Sequence, residues 1–458
     1  MKKIVCVILL TVVAVTMVIM TSIPAAMAPV VADPSIQIIS DIPGDVTIGK
    51  FPSNGTNEQK LLAFQGFFDI YSWNTFISLN WPALPNGSPD PNTKIGQNGD
   101  NDTVWEHYRD VADIFLPGGA TPTYNGPVSV PTQCKASYKP GMRILSQVGK
   151  TPTVLTDFSQ PFNTGPLIDQ NGVYTRYEIL VNQPMFDYIL QNKLYSKAGQ
   201  QAFKGEVAFP CGADNGPEGA IMVKSSWRVI SPAERKRFHT QTVLVYSPAS
   251  QNPSYPASCS PKLMGLVGLH VGHKTDSASQ WLWSTFEHVD NAPTEADVAS
   301  NPSKVARKKY NYYNPKCSAK NCPPNQVPPR PWNPTKVSAF HSQVVRMNMF
   351  KGNEFAFTSA NARNADALQL LLGVNKNSVW QYYELISTMW PTNPGKCAAV
   401  PGDPLGTPAP NFLANTTLET YIQGMVPNVS SNCIECHNNA TMTNARPSDF
   451  TYILQRAQ

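Results

Sequence analysis

The sequence predicts an α+β fold: an antiparallel sheet core with flanking helices and long Pro-rich loops, plus a short C-terminal helical segment. Three observations carry this. Residues 220–289 hold four runs rich in Val, Leu and Trp with Ser, Pro and Asn turns between them, the pattern of consecutive antiparallel strands. Apolar residues recur at helical spacing before and after that region. Pro reaches 42 of 458 residues, about twice ordinary usage, while hydrophobic residues still make up 41%, enough for a core laced with loops.

Taken in order, residues 33–55 read as irregular. Thr56-Asn57-Glu58-Gln59 is a capping box, and Leu61, Leu62, Phe64, Phe67, Phe68, Ile70 and Tyr71 extend a helix to about Leu79, where Trp81-Pro82 stops it. Residues 82–102 are a Pro/Asn/Gly/Asp loop, and 102–115 a short helix. A Pro/Gly/Thr-rich stretch follows to about 165. Asn182 to about Phe203 reads as a helix with Pro184 in its first turn. The strands are Ala220–Ile230, Thr240–Tyr246, Leu263–Lys274 and Gln280–Val289. Residues 292–335 form a Pro-rich loop. Helices are expected at 358–372 and 378–389, the second ended by Trp390-Pro391, and a Pro/Gly linker at 391–410 leads to the tail. The organisation is a signal peptide at 1–32, an α+β main domain at 33–395 and the C-terminal segment at 396–458.

Lys2-Lys3, the apolar run Ile4 to Met20 and the small residues that follow have the layout of a secretory signal peptide. Cleavage after Ala28 competes with cleavage after Ala32. An uncleaved anchor is the alternative, although the run is at the lower limit of the roughly 17–25 residues that span a bilayer. No later segment is apolar enough to cross, so the mature chain carries no transmembrane span. The net charge is +5, falling to +3 without Lys2 and Lys3. With no clustered basic face, that excludes a nucleic-acid binder. The expected location is the periplasm or the exterior.

Nine cysteines divide between two tasks. Cys6 belongs to the signal peptide. Cys134, Cys211, Cys259, Cys317, Cys322 and Cys397 are an even set in an exported chain, which implies disulfides, with Cys317 and Cys322 a local pair. Cys433-Ile434-Glu435-Cys436-His437 has the spacing of a c-type haem attachment site. Two thiols one helical turn apart can add to the two haem vinyl groups, and the adjacent imidazole reaches the iron as proximal ligand. A disulfide, a redox dithiol and half a zinc site are the competing readings. No thioredoxin-like βαβ pattern or second Cys/His pair supports the latter two. Met442 follows too closely on His437 to cross to the opposite side of a haem, so a sixth ligand must come from upstream.

Among the upstream histidines, His270 and His273 stand out in Gly265-Leu266-Val267-Gly268-Leu269-His270-Val271-Gly272-His273-Lys274. On a strand, Gly268, His270 and Gly272 share one face, and Val267, Leu269, Val271 and His273 the other. Glycines beside His270 leave room for something large and flat. His270 is therefore the candidate distal ligand or pocket residue, with His273 second. Glu287, His288 and Asp290 could hold a second metal or act as acid and base, but adjacent strand residues point to opposite faces. Trp281 and Trp283 share a face, as core residues or as an electron relay.

Ser72-Trp73-Asn74-Thr75-Phe76, Leu79-Asn80-Trp81-Pro82-Ala83, Val223-Lys224-Ser225-Ser226-Trp227-Arg228, Leu266 to Thr275, Trp281 to Asn291 and Leu413 to Tyr421 together resemble a family of exported bacterial proteins known as "cytochrome c family protein". The resemblance covers most of the chain and implies export and one covalent haem c; it implies no substrate. Three functions follow as expectations. One is an electron-transfer protein ligated by His437 and an upstream residue, serving a redox partner protein or a small-molecule electron donor or acceptor. Another is a peroxidase- or oxidase-like haem enzyme with an open or displaceable sixth position. The third is a ligand- or partner-binding module with a sensory or structural haem. The long body preceding the haem segment is more protein than a carrier needs, which favours the latter two.

Overall fold

The computed structural model describes residues 33–50, 53–97, 102–147, 165–347, 353–392, 408–423 and 432–458. The expected signal peptide, Cys397, and the join between main domain and tail lie outside them. The fold is α+β. Helix α1 (Asn57–Leu79) begins at the capping box: the Gln59 N–H donates to Thr56 Oγ1 at 3.2 Å, and the Thr56 N–H to Gln59 Oε1 at 2.9 Å. Asn80 ends it. The expected helix at 102–115 is instead two 3₁₀ turns, Val104–His107 and Val111–Asp113, around a two-residue strand, β1 (Arg109–Asp110).

A second short strand, β2 (Ile144–Leu145), precedes β3 (Arg176–Val181), a fully buried strand that sequence periodicity leaves unassigned. The helix expected over 182–203 is two pieces, α2 (Gln183–Gln191) and α3 (Lys197–Ala202). The four expected strands are present as β4 (Ile221–Val229), β5 (Thr240–Ser247), β8 (Ser258–Thr275) and β9 (Ala278–His288), with a small hairpin, β6 (Ser250–Gln251) and β7 (Ser254–Tyr255), between the middle two. Short helices α4 (Glu295–Ser300) and α5 (Pro302–Arg307) interrupt the Pro-rich loop, and α6 (Glu354–Val374) is longer than expected.

The helix expected at 378–389 is corrected to a 3₁₀ turn, Val379–Tyr382, and a strand, β10 (Tyr383–Pro391). Every residue of β10 but Glu384 is buried, and its short mix of apolar residues with Ser387 and Thr388 shows no clean alternation that separates a buried strand from a buried helix. Its pairing with β9, Tyr383 against His288 through Met389 against Trp283, decides the matter. Strand β11 (Pro408–Ala409) borders β10, and α7 (Cys433–Asn438) carries the pentad.

The main sheet runs β1-β3-β4-β8-β9-β10-β11, with β5 paired to β8 and β2 to β5. All these pairs are antiparallel except β2 with β5. One face receives α1 and α6: Ser284 bonds Ser72, and Phe286 stacks on Phe76 at 4.3 Å. The opposite face receives residues 411–423 and the tail. Both faces being covered explains why β9 is buried throughout and β8 from Met264 onward except at His270.

Disulfides join Cys134 to Cys259 and Cys317 to Cys322, and Cys211 is disulfide-bonded as well. The first closes a separation of 125 residues, the second one of 5. Replacing Cys134 and Cys259 by Ala should lower stability by about 2–4 kcal/mol in urea titration, because the longer loop loses more entropy on closure in the unfolded chain. The Cys317→Ala/Cys322→Ala variant should lose less; equal losses would contradict this account. Among the described residues no helix is long and apolar enough to cross a membrane.

Candidate haem-attachment site

Asn432 caps α7, its side chain accepting the Glu435 N–H at 2.9 Å, and its Nδ2–H donates to the Asn411 carbonyl at 3.1 Å. The helix is one and a half turns long, so Cys433 and Cys436 fall on one face at a spacing of three. Both are half-buried thiols outside any disulfide. Ile434 is fully buried and belongs to the apolar cluster that also holds Met442, Phe450, Trp281, Trp283 and Leu413. That apolar contact seats α7 against β9 and β10.

His437 is oriented from three sides. Its Nδ1 lies 2.7 Å from the Phe450 carbonyl. A carbonyl only accepts, so Nδ1 carries the proton and Nε2 the lone pair. The Trp283 ring lies 4.3 Å away centroid to centroid, tilted by 44°. The Tyr452 ring lies edge-on at 5.4 Å, and its hydroxyl donates to the Cys436 carbonyl at 2.8 Å. Burial pushes that hydroxyl up to about 12, so it stays a neutral donor at physiological pH. Burial also raises the Glu435 carboxyl between the two thiols.

His270 lies on the sheet face that carries Gly268, Gly272 and Trp283. Its position is two residues along β8 from Gly272, which pairs with Trp283, so about 7 Å of strand separates it from the row beneath His437. Its Nε2 meets the Glu419 carboxylate at 2.9 Å. The glycines beside it serve the chain's own packing. A Cβ on Gly268 would come within 2.2 Å of Thr417 Oγ1 and 3.0 Å of Asn415 Oδ1, and one on Gly272 would touch Trp283 and Trp281 at 3.5 and 3.6 Å. The room beside Gly268 is thus taken by segment 415–417, whereas Gly272 is bordered by the two indoles at ordinary contact distance.

His273 points to the opposite face, beneath α1. Tyr71 engages its Nδ1, and the Glu218 carbonyl takes Nε2 at 2.5 Å. Burial lowers its pKa to about 4, so it is a neutral structural residue turned away from His437. Glu287 and His288 also diverge. Glu287 holds Arg346 and the Thr416 N–H, whereas His288 bonds the Arg237 carbonyl at 2.8 Å on the other side. Among the described residues no group of three or more His, Cys, Asp or Glu side chains could hold a metal ion.

The arrangement can tether a group through two thioethers and offer it one imidazole nitrogen beside the Trp283 and Tyr452 rings. Sequence reasoning located Cys433, Cys436 and His437. It missed Phe450, Tyr452 and Glu419, and it weighed Trp283 only as core or relay; a backbone carbonyl acceptor leaves no mark in residue identity. No known family, curated protein or solved structure matches the chain, so the reading of this site rests on its own chemistry.

Proposed function

We propose that this chain is an exported mono-haem c-type cytochrome that transfers electrons through a covalently attached haem. One observation carries the reading: two thiols on a single helical turn precede an imidazole whose Nδ1–H is held by a carbonyl, so that Nε2 is the ligating nitrogen. Metal-bound histidines are oriented in this way, and the bond raises their basicity. A haem bound there supplies reversible one-electron chemistry between ferric and ferrous iron. Cys433 and Cys436 would tether it. His437 would ligate it, with Trp283 and Tyr452 fixing the plane of the ring. The disulfides agree with an oxidising compartment, periplasmic or external. The electron donor and acceptor would be a redox partner protein or a small molecule.

A haem enzyme is the second reading, favoured by the half-buried His270–Glu419 pair on the same sheet face. The Glu419 carboxylate meets the His270 Nε2 and orients the ring, as a carboxylate does for an acid–base histidine.

The test is to produce the full chain in a host that matures c-type cytochromes. One haem per chain should survive denaturation. A colourless chain with Cys433 bridged to Cys436 overturns the proposal. A low-spin ferric spectrum indifferent to cyanide and peroxide supports the carrier; a high-spin spectrum with peroxide consumption supports the enzyme. His270→Ala should turn a six-coordinate haem high-spin, and an unaltered spectrum eliminates His270 as ligand.

A further inference from the structure

Lys274 ends the row Gly268, His270, Gly272 on β8, and its side chain is fully buried against the equally buried Asp449 carboxylate, with which it forms an ion pair. The same carboxylate accepts the Phe209 N–H at 2.7 Å, and the Trp281 indole N–H faces it at longer range. Burial pulls both partners toward their neutral forms, raising the Asp449 carboxyl and lowering the Lys274 ammonium.

Asp449 and Phe450 are consecutive non-glycine residues with left-handed backbone, φ +52° and +63°. That conformation is disfavoured for residues with a Cβ, so the surroundings must hold it. Its product is local and specific: it aims the Phe450 carbonyl at His437 Nδ1. Apolar residues of similar volume often replace a buried ion pair with little loss, but here they would leave the Phe209 N–H without its acceptor. A conserved volume alone therefore does not account for two buried charges at this turn.

We infer that the Lys274–Asp449 ion pair is a positioning element: it clamps the 449–450 turn to β8, holds the Phe450 carbonyl on His437, and so sets how strongly that imidazole donates to iron. This rests on the haem reading. A stronger hydrogen bond at Nδ1 makes Nε2 more basic and favours the ferric state. Loosening the turn should therefore raise the reduction potential.

The experiment uses the holoprotein and two variants. Lys274→Met/Asp449→Leu removes both charges together and leaves neither stranded. Asp449→Asn is the milder change, keeping an acceptor for Phe209. Each should retain covalent haem, and each should melt below the parent: Asp449→Asn leaves the Lys274 charge unpaired, and the double variant leaves the Phe209 N–H without its acceptor. The midpoint potential should rise, by of the order of tenfold in ferrous-to-ferric ratio for the double variant, about 59 mV for one electron, and by less for Asp449→Asn. In histidine-labelled protein the His437 Nδ1–H should exchange faster with solvent. Unchanged potential and exchange in a variant that folds and keeps its haem would overturn the inference and leave the haem reading intact. If the parent carries no haem, that reading fails separately, and the Nδ1–H exchange of the haem-free chain still decides whether the ion pair positions His437.

Discussion

The Cys433→Ser/Cys436→Ser chain should lose all of its denaturation-resistant colour. A serine hydroxyl forms no thioether with a vinyl group, so no covalent tether survives. The substitution is otherwise mild. Both positions are half-buried in a helix whose Asn432 cap and Ile434 anchor are untouched, so α7 should persist. Single variants should keep one thioether and partial attachment. Haem absorbance after acid–acetone extraction, compared with protein concentration, measures the effect. Colour retained at the parent level through extraction would mean that these thiols do not attach the group.

Glu106→Ala should destabilise the fold by about 3–5 kcal/mol, as expected when one partner of a buried charge cluster is removed and the others are left uncompensated. The Glu106 side chain is fully buried. It meets Arg143 at 2.6 Å, His239 Nε2 at 3.1 Å and the Thr103 N–H at 2.8 Å. Arg143 lies over the Trp105 and Trp227 rings and keeps Glu178 as its ion-pair partner when Glu106 is gone. Urea titration gives the loss; a change below about 1 kcal/mol would show that the cluster relaxes or hydrates.

The same group predicts an acid limb. Burial by itself would raise the Glu106 carboxyl, but His239 and Arg143 outweigh it and hold it at about 2, against 4.5 for an ordinary Glu. A depressed acid stabilises fully above its unfolded value, and that contribution fades as pH falls from about 4.5 to 2. Across that window Glu106→Ala should lose less stability than the parent chain.

The legible parts of this protein are those written in short stretches of chain. The capping box at Thr56 and Gln59 starts α1 where the residues say it should, and the Val- and Trp-rich runs form β4, β5, β8 and β9. The α+β class follows from them. β10 was not legible as a strand, because its residues show no period-two alternation and its identity comes from pairing with β9. The assignment of opposite faces to His270 and His273 was legible, since strand alternation is local. What fills the room beside Gly268 was not, because Thr417 and Asn415 arrive from far along the chain.

At the tail, the pentad spacing alone determines that two thiols and an imidazole can meet one group, since one helical turn sets their separation. Only the tertiary structure decides which nitrogen of His437 is presented, which aromatic rings flank it, and that a lysine and an aspartate 175 residues apart clamp the turn supplying its hydrogen bond. The reason is physical. Covalent geometry fixes neighbours within a turn, whereas a carbonyl's direction or a buried ion pair exists only once distant elements have packed and water has left.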